Sequence, residues 1–150
     1  MVSRRQAVKS TAAVTGMLLA AGMLPQAAMA FNKVAFDAKS VADVMKALGA
    51  GAPAESKDVT LTAPDIAENG AVVPLGASTS LPNVKQMLIL VEKNPSTLVA
   101  LFDVTDAVDA NFLTRAKLGQ PSAVYAVAIT NDGKTLFAKK EVKVTMGGCG

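Results

Sequence analysis

The chain of 150 residues has no histidine, no tryptophan, one tyrosine and one cysteine. Each absence removes a class of chemistry. Without histidine there is no Ser-His-Asp or Cys-His nucleophile pair and no histidine-ligated zinc or copper. With Cys149 as the sole cysteine no internal disulfide can form, so packing alone has to hold the fold. Methionine does not fill the gap. Met1, Met17, Met23 and Met29 fall in the first thirty residues, and Met45, Met87 and Met146 are too dispersed for a methionine copper site. An excess of charge is missing too. The chain carries a formal +3, but Arg4, Arg5 and Lys9 account for it, and all 12 acidic residues lie beyond Phe31. From Phe31 onward the chain is formally neutral and offers no electrostatic footprint for nucleic acid or an anionic membrane. These absences argue against self-contained catalysis and lead us to expect no cofactor and no metal.

Residues 1–30 read as a targeting segment rather than part of a fold. Ser3-Arg4-Arg5-Gln6-Ala7-Val8-Lys9 is close to the twin-arginine pattern that sends folded proteins through a bacterial inner membrane. The apolar stretch from Ala12 to Leu24 is shorter than the roughly 20 residues a spanning helix needs. Ala28-Met29-Ala30 has the small-x-small form of a signal-peptidase site. The expectation is a mature protein starting near Phe31 in the periplasm, with one domain over 31–146 and a short arm over 147–150.

One helix is legible in the domain. Ser40 and Asp43 resemble a capping box, Val41, Val44, Met45 and Leu48 make one apolar stripe, and Gly49 is placed to end it. This helix is expected to cover core, with a partner-binding helix as the alternative. The remainder reads as β. Strands are expected over Val59–Thr62, Ala71–Leu75, Val84–Glu92, Thr97–Val104, Asn111–Lys117, Ala123–Thr130 and Thr135–Thr145. Asn69-Gly70 signals a tight turn, and Pro74, lacking an N–H donor, is expected at an edge or beside a bulge. About seven short strands with regular turn signals favour an all-β, immunoglobulin-like antiparallel sandwich with one N-terminal helix; a small closed barrel is the alternative.

Cys149 sits in Met146-Gly147-Gly148-Cys149-Gly150. Gly147, Gly148 and Gly150 bring no side chains, so nothing local can pack around the thiol, and chain ends are seldom ordered unless tied down. If the last strand is anchored to about Met146, three residue steps place Cys149 roughly 10 Å beyond the sandwich. No Lys, Arg or His adjoins it in sequence. Only ~3% of a thiol of reference pKa about 8.5 is thiolate at pH 7, and the nearby chain-end carboxylate pushes that fraction down rather than up. A reachable thiol that is not locally activated suits a group carrier whose partner enzymes supply the activation. Two other classes are open: a redox or peroxidatic thiol protein, and an assembly module that uses Cys149 for an intermolecular disulfide.

The twin-arginine leader, a sandwich of this size and the Gly-Gly-Cys-Gly end together resemble the SoxY family, the substrate-carrying subunits of the periplasmic thiosulfate-oxidising system. The stretch from Ala63 through Glu68-Asn69-Gly70 to Pro74 is similar to that family's internal segment, and Val142–Gly150 to its carboxyl end. The family pattern usually has a further glycine after Gly150. The resemblance implies that Cys149 is the site of covalent substrate attachment. A haem enzyme would join thiosulfate to it oxidatively, a hydrolase would release sulfate, and a sulfane dehydrogenase or other acceptor would take the remaining sulfur. It also implies pairing with a SoxZ-like β-sandwich subunit. Glu68-Asn69-Gly70 itself reads as a turn feeding an edge strand, with a docking surface for SoxZ or for the arm as the alternative.

Overall fold

In the computed structural model of the chain, which describes residues 28–145, strand β5 (Val84–Val91) carries an apolar run over residues 87–91 that is buried on both faces. Met87, Ile89 and Val91 point into a core shared with Leu75, Ala77, Val124 and Val142, while Leu88 and Leu90 point the other way onto Val44, Met45 and Leu48. A strand covered on both sides has no polar face to present, so it reads as a continuous hydrophobic run. The molecule around it has three layers: helices, a larger sheet and a smaller sheet.

The helical layer consists of α1 (Ala28–Asp37) and α2 (Val41–Ala47). Ser40 caps α2 as expected, its hydroxyl accepting from the Asp43 N–H at 3.1 Å. The box is not reciprocal, however: the hydroxyl donates to the Asp43 carboxylate at 2.7 Å, because aspartate is too short to reach back to the Ser40 N–H. Gly49 follows with φ of 63°, the left-handed conformation that glycine adopts without cost. Helix α2 covers core. Helix α1 is additional to the single helix read from the sequence. Its alanines favour helix, and an i,i+4 ion pair between Lys33 and Asp37 supports it.

The larger sheet has the order β1-β9-β8-β5-β6, with β1 Ala54–Glu55, β6 Leu98–Asp103, β8 Ser122–Thr130 and β9 Thr135–Val144. The smaller has the order β2-β4-β7, with β2 Val59–Thr62, β4 Val73–Thr79 and β7 Asn111–Ala116. The all-β antiparallel sandwich is therefore as expected, with two exceptions at the edge of β9. There β1 pairs parallel at Leu136 and Phe137, and β3 (Ile66–Ala67) pairs parallel at Lys143 and Val144. Strand β4 runs on to Thr79, past Gly76-Ala77-Ser78, which by composition looks like a turn. Gly76 is there for space: a Cβ on it would fall 2.7 Å from Leu113 Cδ2. Strand β4 is central in its sheet, yet β2 pairs only with Gly76–Thr79, so at Pro74 there is a neighbour on one side only, at Arg115. The missing proline donor is tolerated there.

Among the described residues no helix is long and apolar enough to cross a membrane.

Candidate functional site

Cys149, Gly147, Gly148 and Gly150 lie outside the described residues, as do Arg4 and Arg5. What the structure places is the root from which the cysteine segment departs. Thr145 is the last described residue, just past β9. Four residue steps separate it from Cys149, so covalent geometry allows a Cα reach of at most about 14 Å.

The root is held in an unusual way. Strand β8 pairs with β9 from Ile129 against Thr135 to Ser122 against Val142, and there it stops. Lys143, Val144 and Thr145 run on beyond their antiparallel neighbour. Their backbone is held instead by the segment that links β2 to β4. The Lys143 N–H donates to the Asp65 carbonyl at 3.0 Å, and the Thr145 N–H to the Ala67 carbonyl at 3.0 Å. The Thr145 hydroxyl donates to the same carbonyl at 3.3 Å. Ala67 is buried, so the segment lies against the sandwich rather than over it.

Four further contacts fix this segment. The Lys140 Nζ donates to the Ala63 carbonyl at 2.8 Å and pairs with the Asp65 carboxylate at 2.8 Å. The Asn69 side chain accepts from the Ala71 N–H at 3.0 Å, and the Gly70 carbonyl accepts from the Leu118 N–H at 2.7 Å. Gly70 itself is pressed between two elements: an added Cβ would fall 2.5 Å from the Leu118 carbonyl oxygen and 2.7 Å from Val144 Cγ1. The expected Asn69-Gly70 turn is therefore real in place but not in type. Gly70 has no positive φ; it is glycine because nothing larger fits between Leu118 and Val144.

The chemistry available here is modest. Asp65 sits below the usual carboxylate range because Lys140 hydrogen-bonds it and adds a positive charge. Tyr125 is pushed up by burial and by the charges of Glu92 and Glu141. Among the described residues no group of three acidic or cysteine side chains could hold a metal ion. A shallow apolar hollow of about 780 Å³ opens where β2 leaves β4, lined in part by Pro64, Pro74, Leu113 and Arg115. The root thus offers mechanical hold and a polar rim. The sequence gives no local sign of Lys140 or of β3, since the partners of Lys140 lie 75 or more positions away.

Comparison with known proteins gives these features a context. The profile of the family described as sulfur oxidation protein SoxY matches residues 44–149, so the match runs through Cys149. Among solved structures, the sulfur carrier protein SoxY from Chlorobium limicola f thiosulfatophilum is 33% identical with a TM-score of 0.62, over 69% of this chain and 93% of that one. A superoxide reductase (neelaredoxin) from Ignicoccus hospitalis is 17% identical with a TM-score of 0.52, over 58% of this chain and 80% of that one. That second likeness is one of fold alone. No curated protein matches the chain. The chain belongs to the SoxY family of sulfur oxidation proteins.

Proposed function

We propose that this chain, a sulfur carrier of the Sox system by family, holds its cargo covalently on Cys149 and catalyses no step alone. The observation that carries this reading is the coincidence of the chain's sole thiol with the end of the family match, four residues beyond a firmly held strand end. Cys149 loses a proton and forms an S–S bond to thiosulfate, and the two electrons released pass to a haem-containing partner enzyme. A hydrolase then cleaves the terminal S–S bond of the adduct with water, releasing sulfate and leaving a persulfide on Cys149. A sulfane dehydrogenase or another acceptor takes that remaining sulfur. Gly147, Gly148 and Gly150 keep the segment slender enough to enter the active sites of these different enzymes. Arg4 and Arg5 direct export by the twin-arginine route to the periplasm, where the chain pairs with a SoxZ-like β-sandwich subunit.

The test is substitution of the thiol. Cys149→Ser abolishes loading of thiosulfate by the partner enzymes while thermal unfolding stays at the wild-type temperature. Loading that survives the substitution would overturn the assignment.

A further inference from the structure

Lys143, Val144 and Thr145 have outrun β8, and their backbone donors are taken up by residues 65 and 67. We infer that residues 63–70 act as a strap, clipped by Lys140, that sets the point from which the chain leaves the sandwich toward Cys149. The inference rests on the carrier reading for its purpose but not for its geometry. With the strap in place the last held residue is Thr145, and Cys149 is four residue steps away, a reach of at most about 14 Å. With the strap lifted, the last residue of β9 that faces β8 is Val142. Cys149 is then seven steps away, a reach of about 24 Å. The strap thus moves the last held residue from Val142 to Thr145, three residue steps nearer Cys149.

Lys140 is the positioning residue in this device. Among the described residues its ammonium is the one side-chain group that ties the start of the strap, at Ala63 and Asp65, to the body of β9. Asp65, the charge that its removal leaves without a partner, is 86% exposed, so no buried unpaired charge results. The other end of the strap is fixed by packing, where Gly70 lies between Leu118 and Val144. A shorter linker to the thiol raises its effective concentration for an enzyme docked at the strand end. A longer one dilutes it.

The experiment uses the full exported chain and needs no cargo. Backbone amide hydrogen exchange is followed in the wild type, Lys140→Met, Lys140→Arg and Gly70→Ala, together with the anisotropy of a dye attached to Cys149, the sole thiol. In Lys140→Met the amides of Lys143 and Thr145 exchange roughly fivefold faster, the scale expected for losing an exposed charge-assisted contact, while those of β5 and β8 stay at wild-type rates. In Gly70→Ala, which also lowers global stability, the same two amides accelerate by more than those of β5 and β8. The dye's residual anisotropy falls in both. Lys140→Arg restores exchange and anisotropy toward wild type. Unchanged exchange at Lys143 and Thr145 in both variants would overturn the strap. So would equal acceleration throughout β5 and β8, which would mark a general loosening. Failure of the wild type to accept thiosulfate would sink the carrier reading and leave these two readouts unaffected.

Discussion

Val144 and Gly70 touch so closely that a single methyl group would not fit between them, with 2.7 Å from an added Cβ to Val144 Cγ1. The contact joins the loop before β4 to the strand end from which the cysteine segment leaves. Gly70→Ala should therefore destabilise the protein by about 1–3 kcal/mol, the usual cost of overpacking against backbone. Gly119, on the β7–β8 connection next to Leu118, has no atom within 4 Å of where its Cβ would stand, so Gly119→Ala should change stability by no more than about 0.5 kcal/mol. Urea unfolding of both variants checks the contrast. Equal effects would mean that Gly70 is not confined by its neighbours.

The helical layer makes a second prediction. Leu90 is fully buried and faces α2, while Leu113 is 77% exposed on the smaller sheet. Leu90→Ala should cost about 2–5 kcal/mol, from lost burial and the cavity left behind. Leu113→Ala should lie within about 0.5 kcal/mol of wild type. Chemical denaturation gives both values. A near-neutral Leu90→Ala would show that α2 does not seal that face of the larger sheet.

Acid should loosen the root of the cysteine segment before it unfolds the sandwich. The folded-state pKa of Asp65 is depressed by its hydrogen bond to Lys140 and then by the lysine charge. A depressed carboxyl contributes stability above its unfolded value, about 3.9, and loses it as pH falls through the folded value. Asp132, held down by its hydrogen bond from Thr130, follows the same direction at the far hairpin. Below pH about 4, exchange at Lys143 and Thr145, corrected for the intrinsic rate, should therefore accelerate relative to β5. Asp65→Asn should remove that pH dependence. A pH profile unaltered by the substitution would separate Asp65 from the strap.

Much of this fold is written in local pattern. Ser40 announces a helix because its hydroxyl can cap only a neighbouring backbone, and Val59–Thr62 alternates because one face of β2 is solvated. The hairpin at Asn131–Lys134 is equally local, with Gly133 at φ of 86°. What the sequence hides is what depends on distant partners. Lys140 looks like any strand-edge lysine until the fold brings Ala63 and Asp65 beside it. Gly70 looks like a turn glycine, but its reason is the space taken by Leu118 and Val144. Strand β3, two residues long, has no periodicity to detect. The position of Cys149 was readable from composition alone, whereas the strap that holds the strand before it was not.

Gly147 and Gly148 should matter to turnover and not to folding. Replacing both with Val should slow reaction with the partner enzymes, because bulk and β-branching narrow the conformations available to the segment. The unfolding midpoint should stay at the wild-type value. Steady-state assays with the reconstituted partner enzymes decide this; unchanged turnover would remove the role assigned to the glycines.

The central claim is that Cys149 carries the sulfur. Its most direct test is mass spectrometry of the C-terminal peptide after the protein is incubated with thiosulfate and the partner enzymes. The account predicts thiosulfonate and persulfide adducts confined to the peptide containing Cys149. An unmodified thiol, or a plain disulfide-linked dimer through Cys149, would contradict it.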